Sequence, residues 1–226
     1  MGILKKLTEE YFGEIEREED LIDIDIHDLN VEIVSFTDNN GKKHKKGYKP
    51  KYRNDLKELL KRMIKVRGDE GNFNDIDTSD IASMQFLFNY NSTFNGDITG
   101  WNVSSVISMY GMFYNATSFN QPIGNWDVSS VTDMSSMFSS TSSFNQPIGN
   151  WKFPNVENMN CMFYDATSFN QPIGDWEFPN VTNMNRMFFY ATSFNQDLSK
   201  WDLKGKDKIE IFYGCPIKNK YKPKMK

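Results

Sequence analysis

Five tryptophans, Trp101, Trp126, Trp151, Trp176 and Trp201, stand 25 residues apart without slippage, and the chain has no others. The same period carries Phe94, Phe119, Phe144, Phe169 and Phe194, each followed by an asparagine: Asn95, Asn120, Asn145, Asn170 and Asn195. It also carries Ile98, Ile123, Ile148, Ile173 and Leu198. A second cluster repeats as Met84, Met109, Met134, Met159 and Met184, then Leu87, Met112, Met137, Met162 and Met187, then Phe88, Phe113, Phe138, Phe163 and Phe188. One unit this short cannot bury its own apolar face and must stack on its neighbours, so the period points to a solenoid, a propeller or an array. Twenty-five residues are too few for a propeller blade or a helical hairpin; they suit a coil of one short strand and one short helix.

Within a unit, Trp126 and Val128 alternate with Asp127, a strand signal. Asp80, Ser105, Ser130, Asn155 and Asn180 follow at an N-cap position. Val131, Met134, Met137 and Phe138 then mark one face of a short helix. The periodic asparagines predict an internal ladder of amides bonded to backbone, and the methionine and aromatic columns predict core. The expected fold is therefore α/β: a leucine-rich-repeat-like solenoid of 25-residue coils, short strand plus short helix, with a small α+β unit at its N-terminus. Strands stack closer than helices do, so the strand side should be concave.

The unit FNQPIGNWDVSSVTDMSSMF, recurring as FNQPIGNWKFPNVENMNCMF and FNQPIGDWEFPNVTNMNRMF, resembles the BspA-type leucine-rich-repeat surface proteins, a family also abundant in mycoplasma lipoproteins. The resemblance covers residues 50–213, and includes an opening helix, KPKYRNDLKELLKRMIKV. It implies a non-enzymatic solenoid used for adhesion or protein recognition.

Three segments follow: a non-repeating unit at 1–49, the solenoid at 50–213 with a capping helix at 54–66, and a basic tail at 214–226. In the first, Leu4, Leu7, Tyr11, Phe12 and Ile15 suit an amphipathic helix, Ile22, Ile24 and Ile26 a strand, and Asn40-Gly41 the turn of a hairpin. The capping helix places Leu56, Leu59, Leu60, Met63 and Ile64 on one face, with Asn54 as its N-cap. The last coil closes near Tyr213, and the lysine-rich tail is expected to be loose.

Charge is segregated. Residues 75–200 carry eleven acidic and three basic residues, against six and twelve over 31–70 and three and eight over 201–226. An acidic array speaks against nucleic acid as partner, because a dedicated binder spreads positive charge along its main surface. No apolar run reaches the roughly 18 residues of a membrane span. The start of the chain turns acidic with no apolar leader core, so a cytoplasmic protein is expected as encoded, with unconventional export to the surface as the alternative. Two histidines, His27 and His44, and two cysteines, Cys161 and Cys215, make no metal-ligand spacing, and no nucleotide-binding glycine pattern occurs. No catalytic residue, metal or cofactor is expected, and the expected partner is a protein met by a monomer.

Positions that vary between otherwise copied units mark where that partner would sit. On the strand face these are Asn102, Asp127, Lys152 and Glu177, with Asp175 beside them. An alternative face carries Tyr90, Tyr114, Tyr164, Phe189 and Tyr190, and aromatics beside acids are typical of binding hot spots. Three functions fit: recognition or adhesion, inhibition of a basic site on a partner through an acidic groove, and end-to-end self-association of poorly capped coils.

Overall fold

The structure, a computed structural model, describes residues 24–224. The amphipathic helix expected over Leu4–Ile15 and the start of the Ile22 strand lie outside the described residues. Ile24 and Ile26 are not in a strand, although Ile24 is buried. Strands β1 (Val31–Thr37) and β2 (Lys43–Pro50) form an antiparallel hairpin with a register shift between Val34 and Phe36. Gly41 takes a φ of 83° at its tip, which the absent side chain permits.

Helix α1 (Arg53–Arg67) follows, with Leu56, Leu59, Leu60 and Met63 buried on one face. Its N-cap is Tyr52, not Asn54, and no side chain caps it. Gly68, at φ 80°, ends it by donating to the carbonyl of Ile64. The hairpin joins the repeat directly: Tyr48 donates to the carbonyl of Asp75 at 2.8 Å, and Asp77 donates back to that of Tyr48 at 2.8 Å.

From there, residues one unit apart lie one over the next in parallel register. Bridges run Ser83–Ser108–Asp133–Asn158–Asn183–Asp207. One side chain per unit repeats every contact, so the buried columns become continuous stacks. Phe113, Phe138, Phe163 and Phe188 stack at 5.5–5.7 Å between ring centroids, and Phe94, Phe119, Phe144, Phe169 and Phe194 at 5.9–6.2 Å. These separations suit offset aromatic pairs. Four of the tryptophans donate Nε1–H to a backbone carbonyl one unit back, those of Phe73, Ile123, Ile148 and Ile173.

The units lack the strand and helix expected of them. The segment Val131–Phe138 is buried at its apolar positions but is a run of turns, as are its counterparts. The cause is backbone handedness: Phe86, Gly111, Ser136, Cys161 and Arg186 have φ of 53–57°, and so do Tyr90, Asn115, Ser140, Asp165 and Tyr190 at 53–58°. Two left-handed residues four apart cannot sit in a right-handed helix. In the turn run, alternate N–H groups bond within the unit and the others reach the next unit. Ser139 donates to the carbonyl of Ser136, whereas Met134, Ser136, Phe138 and Ser140 donate to those of Asn158, Asn160, Met162 and Tyr164 at 2.7–3.0 Å. The inter-unit ladder thus lies where a helix was expected, and Trp126–Val128 contributes no ladder bond among the described residues. With no helices on one side to hold the units further apart, no concave strand side results.

Two further expectations are corrected. Asn155 and Asn180 cap no helix; their amides donate back to the carbonyls of Ser129 and Pro154 at 2.8 and 2.6 Å. The basic tail is not loose. Ile217 is 4% exposed, Lys218 donates its N–H to Asn195 Oδ1 at 3.0 Å, and Leu198 donates to the carbonyl of Tyr221 in a short 3-10 turn, Asn219–Tyr221. The asparagine column is a ladder, with Asn120, Asn145, Asn170 and Asn195 each donating to Oδ1 of the asparagine one unit back at 2.9–3.0 Å. It runs along a partly exposed edge and not through the interior.

Candidate functional site

Along the edge expected to be a strand face, Asn102, Asp127, Lys152, Glu177 and Asp175 are all exposed, but most already have work. Asn102 Oδ1 accepts the N–H and hydroxyl of Ser104 at 3.1 and 2.7 Å, and Asp127 Oδ1 accepts the N–H of Ser129 at 3.0 Å. These are side-chain turns that bend the chain after the tryptophan. The Ser129 hydrogen bonds hold the Asp127 carboxyl below the usual carboxylate range. In the next two units Pro154 and Pro179 fix the bend instead, which leaves the slot free for Lys152 and Glu177.

Asp175 meets Lys200 Nζ at 2.7 Å, and that ammonium keeps its carboxyl below the ordinary range. The hairpin tip also lies on this edge. Asn39 donates to the carbonyl of Gly100 at 2.7 Å, and Asn125 Nδ2 donates to Asn40 Oδ1 at 2.9 Å. A side chain at position 100 would meet Asp38 Oδ2 at 2.8 Å, so glycine is required there. This edge is therefore a mixed-sign, partly covered surface and not a continuous acidic groove.

The ladder face is different. Its outward positions gather aromatics into two groups. In the first, Tyr90 packs edge-on against Tyr114 at 5.2 Å and Phe86 against Tyr110 at 4.5 Å. In the second, Tyr164, Phe189 and Tyr213 stack at 4.9 Å, with Tyr190 perpendicular to Phe189 at 4.8 Å. Arg186 lies over Phe189 at 5.7 Å and pairs with Glu210 at 2.7 Å. Between the groups the unit at 134–141 is serine-rich, and Ser135 and Ser139 are buried by their larger neighbours. Tyr90, Tyr190 and Tyr213 are 64%, 44% and 54% exposed, high for rings that have company.

The hydrogen bond that the Tyr114 hydroxyl makes to Tyr90 raises Tyr114 above the ordinary phenol range, and electrostatic interaction with Tyr213 raises Tyr190. Both phenols are therefore neutral, hydrogen-bonding groups at physiological pH. Tyr90, Tyr114, Tyr164, Phe189 and Tyr190 are thus brought to one face. Phe86, Tyr110, Arg186 and Tyr213 belong to it as well, and the signal was their place in the same columns. Tyr213 escaped because the last unit is one residue short, as the Asn183–Asp207 bridge shows.

The remaining reactive groups are engaged elsewhere. His44 Nε2 and Asp38 Oδ2 are buried 2.9 Å apart, and Asp38 Oδ1 accepts the N–H groups of Asn40 and Lys42, which fixes the hairpin turn. A cavity of about 200 Å³ beside them is lined by Phe36, Thr37, Asp77, Thr78, Ser79 and Asn102. Burial pushes both the Cys161 and the Cys215 thiols up. Among the described residues no cluster of histidine, cysteine and carboxylate side chains has metal-ligand geometry, and no helix is long and apolar enough to cross a membrane.

No curated relative and no solved structure matches the chain. A family profile matches it twice, over residues 54–167 and 123–222, in overlapping stretches that take in α1, the stacked units and most of the folded-back tail. The chain belongs to that family, described as Mycoplasma protein of unknown function, DUF285.

Proposed function

We propose that this chain is a non-enzymatic protein-recognition module, a solenoid of the BspA leucine-rich-repeat kind, and that it binds its partner through the ladder face. The observation that carries this reading is the collection of Tyr90, Tyr110, Tyr190 and Tyr213, all more than a third exposed, on one rigidly hydrogen-bonded surface. Tyrosine and arginine anchors with little rotamer freedom left to lose are the usual source of interface energy. Recognition of an extracellular protein, as adhesion, and recognition of a protein within the cell are both compatible with that surface. Inhibition through an acidic groove has less support, because Asp127 and Asp175 are already paired with Ser129 and Lys200.

The test is capture of partner by immobilised chain, compared across two triple variants that keep wild-type circular dichroism. Tyr164→Ala with Phe189→Ala and Tyr190→Ala should weaken binding about 30-fold or more, the scale of truncated hot spots. Asp127→Lys with Asp175→Lys and Glu177→Lys should leave it unchanged; the reverse pattern would overturn the placement.

A further inference from the structure

Beside one bond that runs backward, such as Ile107 N–H to the carbonyl of Ala82 at 2.8 Å, four bonds at every step of the ladder run forward in one sense. Met84, Phe86, Phe88 and Tyr90 donate to the carbonyls of the following unit, and so do their counterparts in the next four units, ending with Met184, Arg186, Phe188 and Tyr190. A parallel β-ladder shows both donors and acceptors along each edge. Over these four positions this one instead ends in carbonyls at its N-terminal edge and N–H groups at its C-terminal edge. The carbonyl edge meets α1, where Arg53 Nε donates to the carbonyl of Gln85, one of its four, at 2.7 Å, and Lys57 Nζ to the adjoining carbonyl of Phe86 at 2.9 Å.

The other edge is bare. The Asn183–Asp207 bridge puts Lys208, Glu210, Phe212 and Gly214 in register with Met184, Arg186, Phe188 and Tyr190. Glu210 and Gly214 repeat the left-handed φ of Arg186 and Tyr190, at 51° and 69° against 54° and 54°, so the donors keep their direction. None of these four N–H groups has an acceptor among the described residues. The folded-back tail covers only the other half of this end, through Asn195 and Leu198. The segment 201–224, which carries the bare edge, has seven lysines and three acids, and of those acids Glu210 is held by Arg186.

We propose that this edge is a second docking site, separate from the aromatic face, and that it takes an acidic peptide segment of a partner protein as one further rung. Four aligned donors call for a segment with a carbonyl at every second residue, the logic of strand addition. The lysines call for carboxylates on that segment. A second copy of this chain does not fit head to tail, since its carbonyl edge meets α1 and its N-terminal cap is itself basic, with twelve basic and six acidic residues over 31–70.

The probe is a fluorescein-labelled peptide of alternating glutamate and valine, titrated into the full chain while amide exchange is followed by NMR. Saturable binding should slow exchange about tenfold at Lys208, Glu210, Phe212 and Gly214, the response of amides that gain an acceptor. Lys204→Glu with Lys218→Glu should weaken binding about tenfold, as the loss of rim charge does. Three results would overturn the proposal: no binding, binding that leaves exchange at these amides unchanged, and protection that grows with protein concentration in the absence of peptide.

Discussion

Trp151 donates its indole N–H to the carbonyl of Ile123, one unit back, at 3.3 Å, whereas the equivalent Nε1 of Trp126 is buried with no partner. Two residues in one column, equally enclosed, thus differ in a single hydrogen bond. Replacing each by phenylalanine removes similar volume, but only Trp151→Phe deletes a hydrogen bond, leaving the Ile123 carbonyl with the Trp126 backbone N–H at 3.1 Å alone. Trp151→Phe should be the more destabilising by about 1–2 kcal/mol in urea unfolding, since Trp126→Phe deletes a donor that had nothing to bond. Equal losses would show that the Trp126 indole finds a partner in solution.

Gly111 shares its column with Phe86, Ser136, Cys161 and Arg186, all left-handed, so backbone conformation alone does not require glycine there. A Cβ at 111 would lie 2.5 Å from the Phe86 ring, which rests on the glycine. Gly111→Ala should cost about 1–3 kcal/mol through displacement of that ring, the range of overpacked sites. Phe86→Ala should remove most of that penalty, which a double-mutant cycle on thermal stability measures.

Asp127 ties stability to pH. Its carboxyl titrates below the ordinary value because Ser129 donates to the ionised form. The contribution is complete above the unfolded pKa of about 4 and is lost as pH falls through the lower, folded value. Asp127→Asn should lessen the acid sensitivity of unfolding while leaving neutral stability nearly unchanged, because Asn102 makes the same turn in its own unit. Asp127→Ala should cost about 1 kcal/mol at neutral pH, the worth of a comparable side-chain cap.

Removing residues 215–226 should destabilise the last units and promote association. Ile217 is buried against the core, and its loss alone withdraws about 1.5–3 kcal/mol of apolar burial. The N–H of Leu198 and Oδ1 of Asn195 lose their partners in the same step. A lower melting temperature with concentration-dependent sedimentation is the expected outcome. A truncated chain that stays monomeric and melts unchanged would remove the tail's role as a cap.

The core columns were legible because burial repeats with the sequence, and every tryptophan and repeat phenylalanine falls where its spacing puts it. The local conformation was not. A run of turns alternating right- and left-handed residues also turns Val131, Met134, Met137 and Phe138 inward, so their spacing is equally that of a helix. Nothing in Phe86, Ser136, Cys161 or Arg186 advertises a positive φ in the way a glycine column would have. The ladder consequently lies along the turn run and not along Trp126–Val128, and Asp127, whose slot suggests a free recognition position, uses its oxygen to bend the chain. In the tail, alternating lysines mask Ile217, which joins the core, and Pro223, which is also buried.

The identical bond pattern at every step of the ladder has a consequence for how such a chain can change length. Because every step joins the same kind of donor edge to the same kind of acceptor edge, a duplicated or deleted block of 25 residues meets matching surfaces on both sides. Both caps would be left untouched by such a splice. The distance between the hairpin and the basic end is then a quantity that whole-block insertion can tune, one rung spacing at a time, as graduations are added to a ruler.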